Sequence, residues 1–201
     1  TVLDGKGGPV TGLTAGDFAV TEDGRPQQVS TFAAGEFPLS VVLGIDRSWS
    51  MAGRPLDVAK RASQSFLRRL RPTDQSMVLT IGTDVEEIAP MSTDRASQAA
   101  AVAAVGPWGT TALRDWLLAA FDRVEDTPGR QAIVLFSDGD DRYSRASESE
   151  VLDRARRSRA LVYPITIGRP AQAWLAEVAV TTGGRFVVVR DTGALEAVLS
   201  A

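Results

Sequence analysis

Three short stretches hold most of the side chains in this sequence that are equipped for chemistry. "IDRSWS" at 45–50 sets Asp46, Ser48 and Ser50 two residues apart. "WGTTALRD" at 108–115 offers Thr110 and Thr111 behind Gly109, and "FSDGDD" at 136–141 offers Asp138. All of these groups are oxygen donors, either neutral hydroxyls or carboxylates. If they meet, they suit a hard divalent cation such as Mg²⁺, with Mn²⁺ and Ca²⁺ as guests of the same kind. Composition closes off much else. The 201 residues include no cysteine and no histidine. That removes disulfides, thiolate chemistry, sulfur- or imidazole-bound zinc and any Ser-His-Asp triad. Lys6 and Lys60 are the only lysines. No phosphate-binding Gly-x-x-x-x-Gly-Lys loop, dinucleotide-binding glycine fingerprint or Gly-x-Ser-x-Gly elbow occurs.

The elements between these stretches explain how they meet. Apolar runs rich in branched residues lie at 39–45, 77–81, 132–136, 161–167 and 186–189. Their near-continuous apolar character is that of strands buried on both faces of a parallel sheet. Helical spacing fills the gaps over 55–70 and 112–124, with further helices expected near 94–104, 147–159, 171–181 and 192–200. One pair breaks the alternation: "MVLTIGTD" runs almost directly into "VEEIAPM", which makes 85–89 an antiparallel edge strand. The expected fold is therefore α/β: a three-layer, doubly wound, mostly parallel six-stranded sheet with one antiparallel edge strand. In such sheets ligands bind beyond the carboxyl ends of the strands, where the winding reverses. Asp46 ends the first strand, between those at 77–81 and 132–136, and so stands at that reversal.

Residues 1–37 differ from 38–201. "DFAVTEDGRPQQVSTF" reads as two short strands around an Asp23-Gly24 turn, a β-rich arm too small to bury a core alone. Val20, Val29 and Phe32 alternate with polar neighbours, so the hairpin is expected to dock on the larger domain. A net charge of −3 gives no footprint for nucleic acid, and "RRLR" at 68–71 suits a solvated helix end. No apolar stretch is long enough to span a membrane. The chain opens at Thr1 and reads as a mature or trimmed piece, so the lack of a leader carries no weight.

Asp-x-Ser-x-Ser after a first buried strand, Gly-x-Thr opening a later helix and Asp-Gly after the next strand together resemble the von Willebrand factor type A domain. The resemblance spans roughly residues 38–201. It implies a metal-ion-dependent adhesion site made of Asp46, Ser48, Ser50, Thr111 and Asp138, the register from Gly109 selecting Thr111 over Thr110. It also implies a Mg²⁺-dependent, non-enzymatic domain that binds a protein presenting an acidic side chain, at the cell surface or in secretion. The arm before it is similar to that of bacterial von Willebrand factor A-related proteins. One departure is Trp49, where the family commonly has glycine.

Plainer readings exist for the same residues. Ser48 or Ser50 can cap the helix near Pro55, and Thr110 or Thr111 the helix at 112–124. Asp140 and Asp141 read as a solvated loop or helix start. Haloacid dehalogenase-like phosphatases need a second aspartate where Ser48 stands, and receiver domains need an acidic pair that is missing here. A phosphotransferase using Asp46, or a structural domain with an unused site, remain as alternatives. Trp49, between two ligand positions, is expected to point away from the sheet, whereas Trp108 has core and exposed placements open to it. Both are candidates for partner binding.

Overall fold

A two-residue turn organises the first of two units. The structure, a computed structural model, describes residues 2, 4–5, 10–29, 37–168 and 172–189, and the chain divides into units Thr1–Phe37 and Pro38–Ala201. In the first, strands β1 (Val20–Glu22) and β2 (Arg25–Gln27) pair antiparallel. Asp23 and Gly24 between them have φ of 49° and 76°, the two left-handed positions of a type I′ turn. Phe32, and the helix expected over 192–200, lie outside the described residues.

The second unit runs β3 (Leu39–Asp46), α1 (Arg54–Arg69), β4 (Gln75–Ile81), β5 (Val85–Ser92), α2 (Arg95–Ala104), α3 (Leu113–Glu125), β6 (Arg130–Ser137), α4 (Glu148–Arg157), β7 (Leu161–Ile167), α5 (Ala173–Thr181) and β8 (Val187–Val189). The sheet order is β5-β4-β3-β6-β7-β8. All pairs are parallel except β4 with β5. This is the six-stranded, mostly parallel sheet with an antiparallel edge that the sequence pattern implies. The edge strand extends three residues past its expected end, through Pro90, which an edge position tolerates because it needs no inward amide there.

Side-chain alternation along β3 divides the core into two layers. Val41, Leu43 and Ile45 join Leu56, Ala59, Ala62 and Leu67 of α1 and Val102 of α2. Val42 joins Trp116, Leu117 and Phe121 of α3, Val151 of α4 and Leu175 and Val178 of α5. Strand β3 is thus buried on both faces, which is why its sequence is apolar without alternation. At Gly44 a Cβ would lie 2.3 Å from the Trp116 indole, so this strand position admits only glycine. Among the described residues no helix is long and apolar enough to cross a membrane.

At the amino ends of β3 and β4 a buried polar network closes the sheet. Asp74 accepts the Leu39 amide at 2.9 Å, the Arg71 amide at 2.9 Å and the Arg71 guanidinium at 3.0 Å. Arg95 donates to the Asp74 carbonyl, to Ser76 Oγ at 2.8 Å and to Gln98 Oε1 at 3.1 Å. Gln98, 1% exposed, returns a bond to the Ser76 carbonyl. Burial would raise the Asp74 pKa, but the Arg71 hydrogen bonds, the two amides and the Arg71 charge outweigh it and hold it below its usual range.

Candidate metal centre at the carboxyl edge of the sheet

Strand β3 has β4 on one side and β6 on the other, and the winding reverses at its carboxyl end. Asp46 is the last residue of β3 and Ser137 the last of β6. Three loops leave this edge: 47–53 after β3, 105–112 before α3, and 138–147 after β6. Backbone bonds lace them together. The Trp49 amide donates to the Gly109 carbonyl at 3.1 Å and the Trp108 amide to the Arg47 carbonyl at 2.6 Å. The amides of Arg142 and Tyr143 both donate to the Thr111 carbonyl at 3.0 Å. Gly109 makes the tight turn at φ 75°, and a Cβ there would meet Thr83 Oγ1 at 2.7 Å, so the glycine of Gly-x-Thr is required twice over.

The candidate ligands stand on this lattice. Asp46 is fully buried, Ser48 is 1% exposed, Thr111 4% and Asp138 6%; Ser50 is open to solvent. Asp46 accepts the Ser48 amide on Oδ1 at 2.9 Å and the Ser137 hydroxyl on Oδ2 at 2.5 Å. Ser48 Oγ and Ser50 Oγ are 3.1 Å apart. Asp138 Oδ1 accepts the Asp140 amide at 3.3 Å. Thr111 is buried, whereas the exposed Thr110 lies 3.4 Å from Thr83 Oγ1 through its own hydroxyl.

The electrostatics show what this set lacks. Burial pushes the Asp46 carboxyl up to about 6 and the charge of Asp138 adds to the rise, while bonds from Ser137 and Ser48 oppose it. Among the described residues Asp46 has no ion-pair partner. Neighbouring guanidiniums are engaged elsewhere: Arg47 with Glu86 at 2.9 Å, Arg114 with Asp141 at 3.2 Å and Arg142 with Asp140 at 2.6 Å. Also among the described residues, no three Asp, Glu, His or Cys side chains converge to hold a metal. The set is two carboxylates supplemented by neutral hydroxyls. It fits a hard divalent cation, which takes oxygen ligands and would supply the positive charge that Asp46 lacks.

Several plain readings of these residues fail on geometry. The N-cap of α1 is Gly53 and that of α3 is Ala112, neither with a side-chain cap bond. None of Ser48, Ser50, Thr110 and Thr111 caps α1 or α3: a 3-10 turn that contains Ser50 separates Ser48 from α1, and Thr111 falls one residue short of the N-cap position of α3. Asp141 is not solvated. Its side chain is 1% exposed, and it accepts the Arg114 amide at 2.8 Å and the Ser144 hydroxyl at 2.7 Å. With Ser144 Oγ, which takes the Arg114 amide at 3.0 Å, it caps α3 from 27 residues away. Trp49 and Trp108 are both exposed, at 62% and 57%. Trp49 heads a single 3-10 turn whose last residue, Met51, fills the core instead. The sequence reading gave no role to Ser137 or Tyr143; the serine's place before Asp138 and the ring's place in an acidic loop were the available signals.

Comparisons with known proteins agree with this geometry. Residues 41–140 match the profile of the von Willebrand factor type A domain. No curated protein matches the chain. BatB from Bacteroides thetaiotaomicron superposes with a TM-score of 0.66 at 18% identity, over 81% of this chain and 96% of that one. A von Willebrand factor type A protein from Catenulispora acidiphila gives 0.71 at 20%, over 83% of this chain and 42% of that one. The vWF domain of the type V pili tip protein Mfa5 from Porphyromonas gingivalis gives 0.67 at 12%, over 83% and 95%. These identities speak to fold alone. With the family profile spanning β3 to the Asp138 loop and the sheet order in agreement, the chain belongs, through its second unit, to the von Willebrand factor type A family.

Proposed function

We propose that this chain is a divalent-metal-dependent protein-binding module, in which Asp46, Ser48, Ser50, Thr111 and Asp138 hold the ion and a partner's acidic side chain completes its coordination. Type A domains are interaction modules in general, and the finer reading rests on one observation. Asp46 is fully buried, beside a second carboxylate and, among the described residues, without a counter-charge, a costly arrangement in a domain that needs no charge there. The bound ion, Mg²⁺ first and Mn²⁺ or Ca²⁺ by the same donors, supplies an electrophilic point open to one more oxygen ligand. The residues themselves hold and orient: Ser137 and the Ser48 amide fix both oxygens of Asp46. The chain lacks histidine and Lys60 donates to the Val105 carbonyl, so neither an imidazole nor that amine is offered as a general base. The domain is thus read as a binder, not an enzyme. The pilus tip protein among the similar folds favours an envelope or cell-surface setting.

The test is thermal. A ligand that binds only the folded state stabilises it by about 2.7 kcal/mol at a hundredfold excess over Kd. Mg²⁺ is expected to raise the Tm progressively, and Asp46→Ala to stay folded while losing that response. An equal shift in both proteins would remove the assignment. Modification of Asp46 by beryllofluoride would establish the phosphotransferase reading in its place.

A further inference from the structure

The loops that carry the candidate ligands also carry the most exposed aromatic rings of the described chain. Trp49 is 62% exposed, Trp108 57% and Tyr143 58%, one from each loop. Next among the described aromatics is Phe37 at 42%. Exposed aromatic area is costly to leave uncovered, and such rings dominate binding where they occur at interfaces.

Their placement is held by the same lattice as the ligands. The amides of Trp49, Trp108 and Tyr143 each donate to a carbonyl of another of the three loops, at Gly109, Arg47 and Thr111. Met51, the last residue of the 3-10 turn that Trp49 heads, is fully buried and anchors that turn in the core. Gly82 packs against the Trp108 carbonyl, where a Cβ would come within 3.2 Å. The rings are thus exposed on the same loops as four recessed candidate ligands, Asp46, Ser48, Thr111 and Asp138, each at most 6% exposed, while the fifth, Ser50, is itself open to solvent. Of the guanidiniums in these loops, Arg47 and Arg142 are each held by a carboxylate, and that of Arg145 is exposed.

We infer that this collar of Trp49, Trp108 and Tyr143 selects, among proteins that present a carboxylate, a segment whose acidic residue is flanked on both sides by large apolar side chains. The inference rests on the metal-dependent reading above: the ion takes the carboxylate and the rings take its neighbours. A polypeptide fits better than a saccharide. Sugar hydroxyls are gripped by planar amides and free carboxylates beside a ring, yet the chain has no asparagine or histidine, and its glutamines lie outside these loops.

The experiment is a random peptide library, displayed on phage and selected on the immobilised full chain in Mg²⁺ and, separately, in chelator. The comparison protein is the triple variant Trp49→Ala, Trp108→Ala, Tyr143→Ala, with its fold checked by the Mg²⁺-induced Tm rise. The single Tyr143→Ala variant repeats the comparison if the triple variant does not fold. Chelator-sensitive sequences with Asp or Glu between Leu, Phe, Trp or Pro residues are expected on the wild type. The ring variants should bind those peptides about tenfold more weakly or worse, while keeping the Mg²⁺ response. Acidic sequences without apolar flanks would overturn the collar and leave the metal reading standing. Apolar sequences without an acidic residue, indifferent to chelator, would overturn both. So would a lack of enriched sequences, including one accompanied by chelator-sensitive binding of a glucuronate polymer, which would assign the collar to saccharide.

Discussion

The two ends of the parallel sheet each bury an aspartate, and they treat it in opposite ways. Asp74 at the amino end is 3% exposed and Asp46 at the carboxyl end is fully buried. Both are hydrogen-bonded by backbone amides. Only Asp74 also receives a guanidinium, from Arg71 at 3.0 Å, and only its pKa falls. Asp46 has a hydroxyl and an amide, faces Asp138, and is pushed up to about 6. Equal burial therefore has two meanings. Where a cation of the chain completes the network the carboxylate is structural; where none does among the described residues, the carboxylate is a candidate for holding a ligand's charge, as proposed above.

The largest expected effect tests the structural half. Asp74→Ala removes the acceptor for the Leu39 and Arg71 amides and leaves the Arg71 guanidinium without its carboxylate, while Arg95 loses a nearby negative charge but keeps its bond to the backbone carbonyl of residue 74. Removing one member of a buried ion pair costs about 3–5 kcal/mol; partial exposure of Arg71, at 30%, sets the expectation at the lower end. Urea unfolding should show it, whereas Asp46→Asn without metal should hold or gain stability. Equal losses at both ends would erase the distinction.

A smaller loss is expected midway between the ends, where β3 meets α3. The Cβ of Gly44→Ala would have to share space with the Trp116 indole 2.3 Å away, and overpacking of this kind costs about 1–3 kcal/mol. Trp116 Nε1 is buried without a hydrogen-bond partner, so Trp116→Phe gives up no bond while removing ring volume. The double variant should be more stable than the sum of the two single losses. Simple additivity would show that the contact does not set the spacing of β3 and α3.

The sheet was legible in the sequence because strands buried on both faces must be apolar throughout, as in "SVVLGI" of β3. The candidate site was legible in outline because the residues proposed for it lie within a few residues of strand and helix ends, where spacing carries information. What escaped is what long-range contact decides. Asp141 looks like a solvent-facing residue of an acidic loop, yet it accepts the amide of Arg114, 27 residues earlier in the chain, and so caps α3. The Asp74, Arg95 and Gln98 network joins three elements through side chains without any short motif. Gly44 carried a faint signal, a glycine inside a strand, but nothing in the sequence named Trp116 as the ring against it.

The last contrast is the pH dependence that should separate the two aspartates. The folded-state pKa of Asp46 lies at about 6, above its ordinary 3.8, so the folded protein holds that proton more tightly than the unfolded chain. Its contribution to metal-free stability is fully present below about pH 4 and is lost as the pH rises through about 6. Asp74 has a lowered pKa and the opposite sign: its contribution is present above about pH 4 and is lost as the pH falls through the folded value. The difference in Tm between wild type and Asp46→Asn, measured without metal, isolates the first group from the second. It should favour the wild type least at neutral pH and shrink on acidification from about pH 6 to about pH 4. Saturating Mg²⁺ should cancel the wild-type loss above about pH 6, because ion and proton compete for the same carboxylate. A difference that stays flat between about pH 4 and about pH 6.5 would mean that Asp46 is ionised at no cost, and the contrast between the two ends of the sheet would then lose its electrostatic basis.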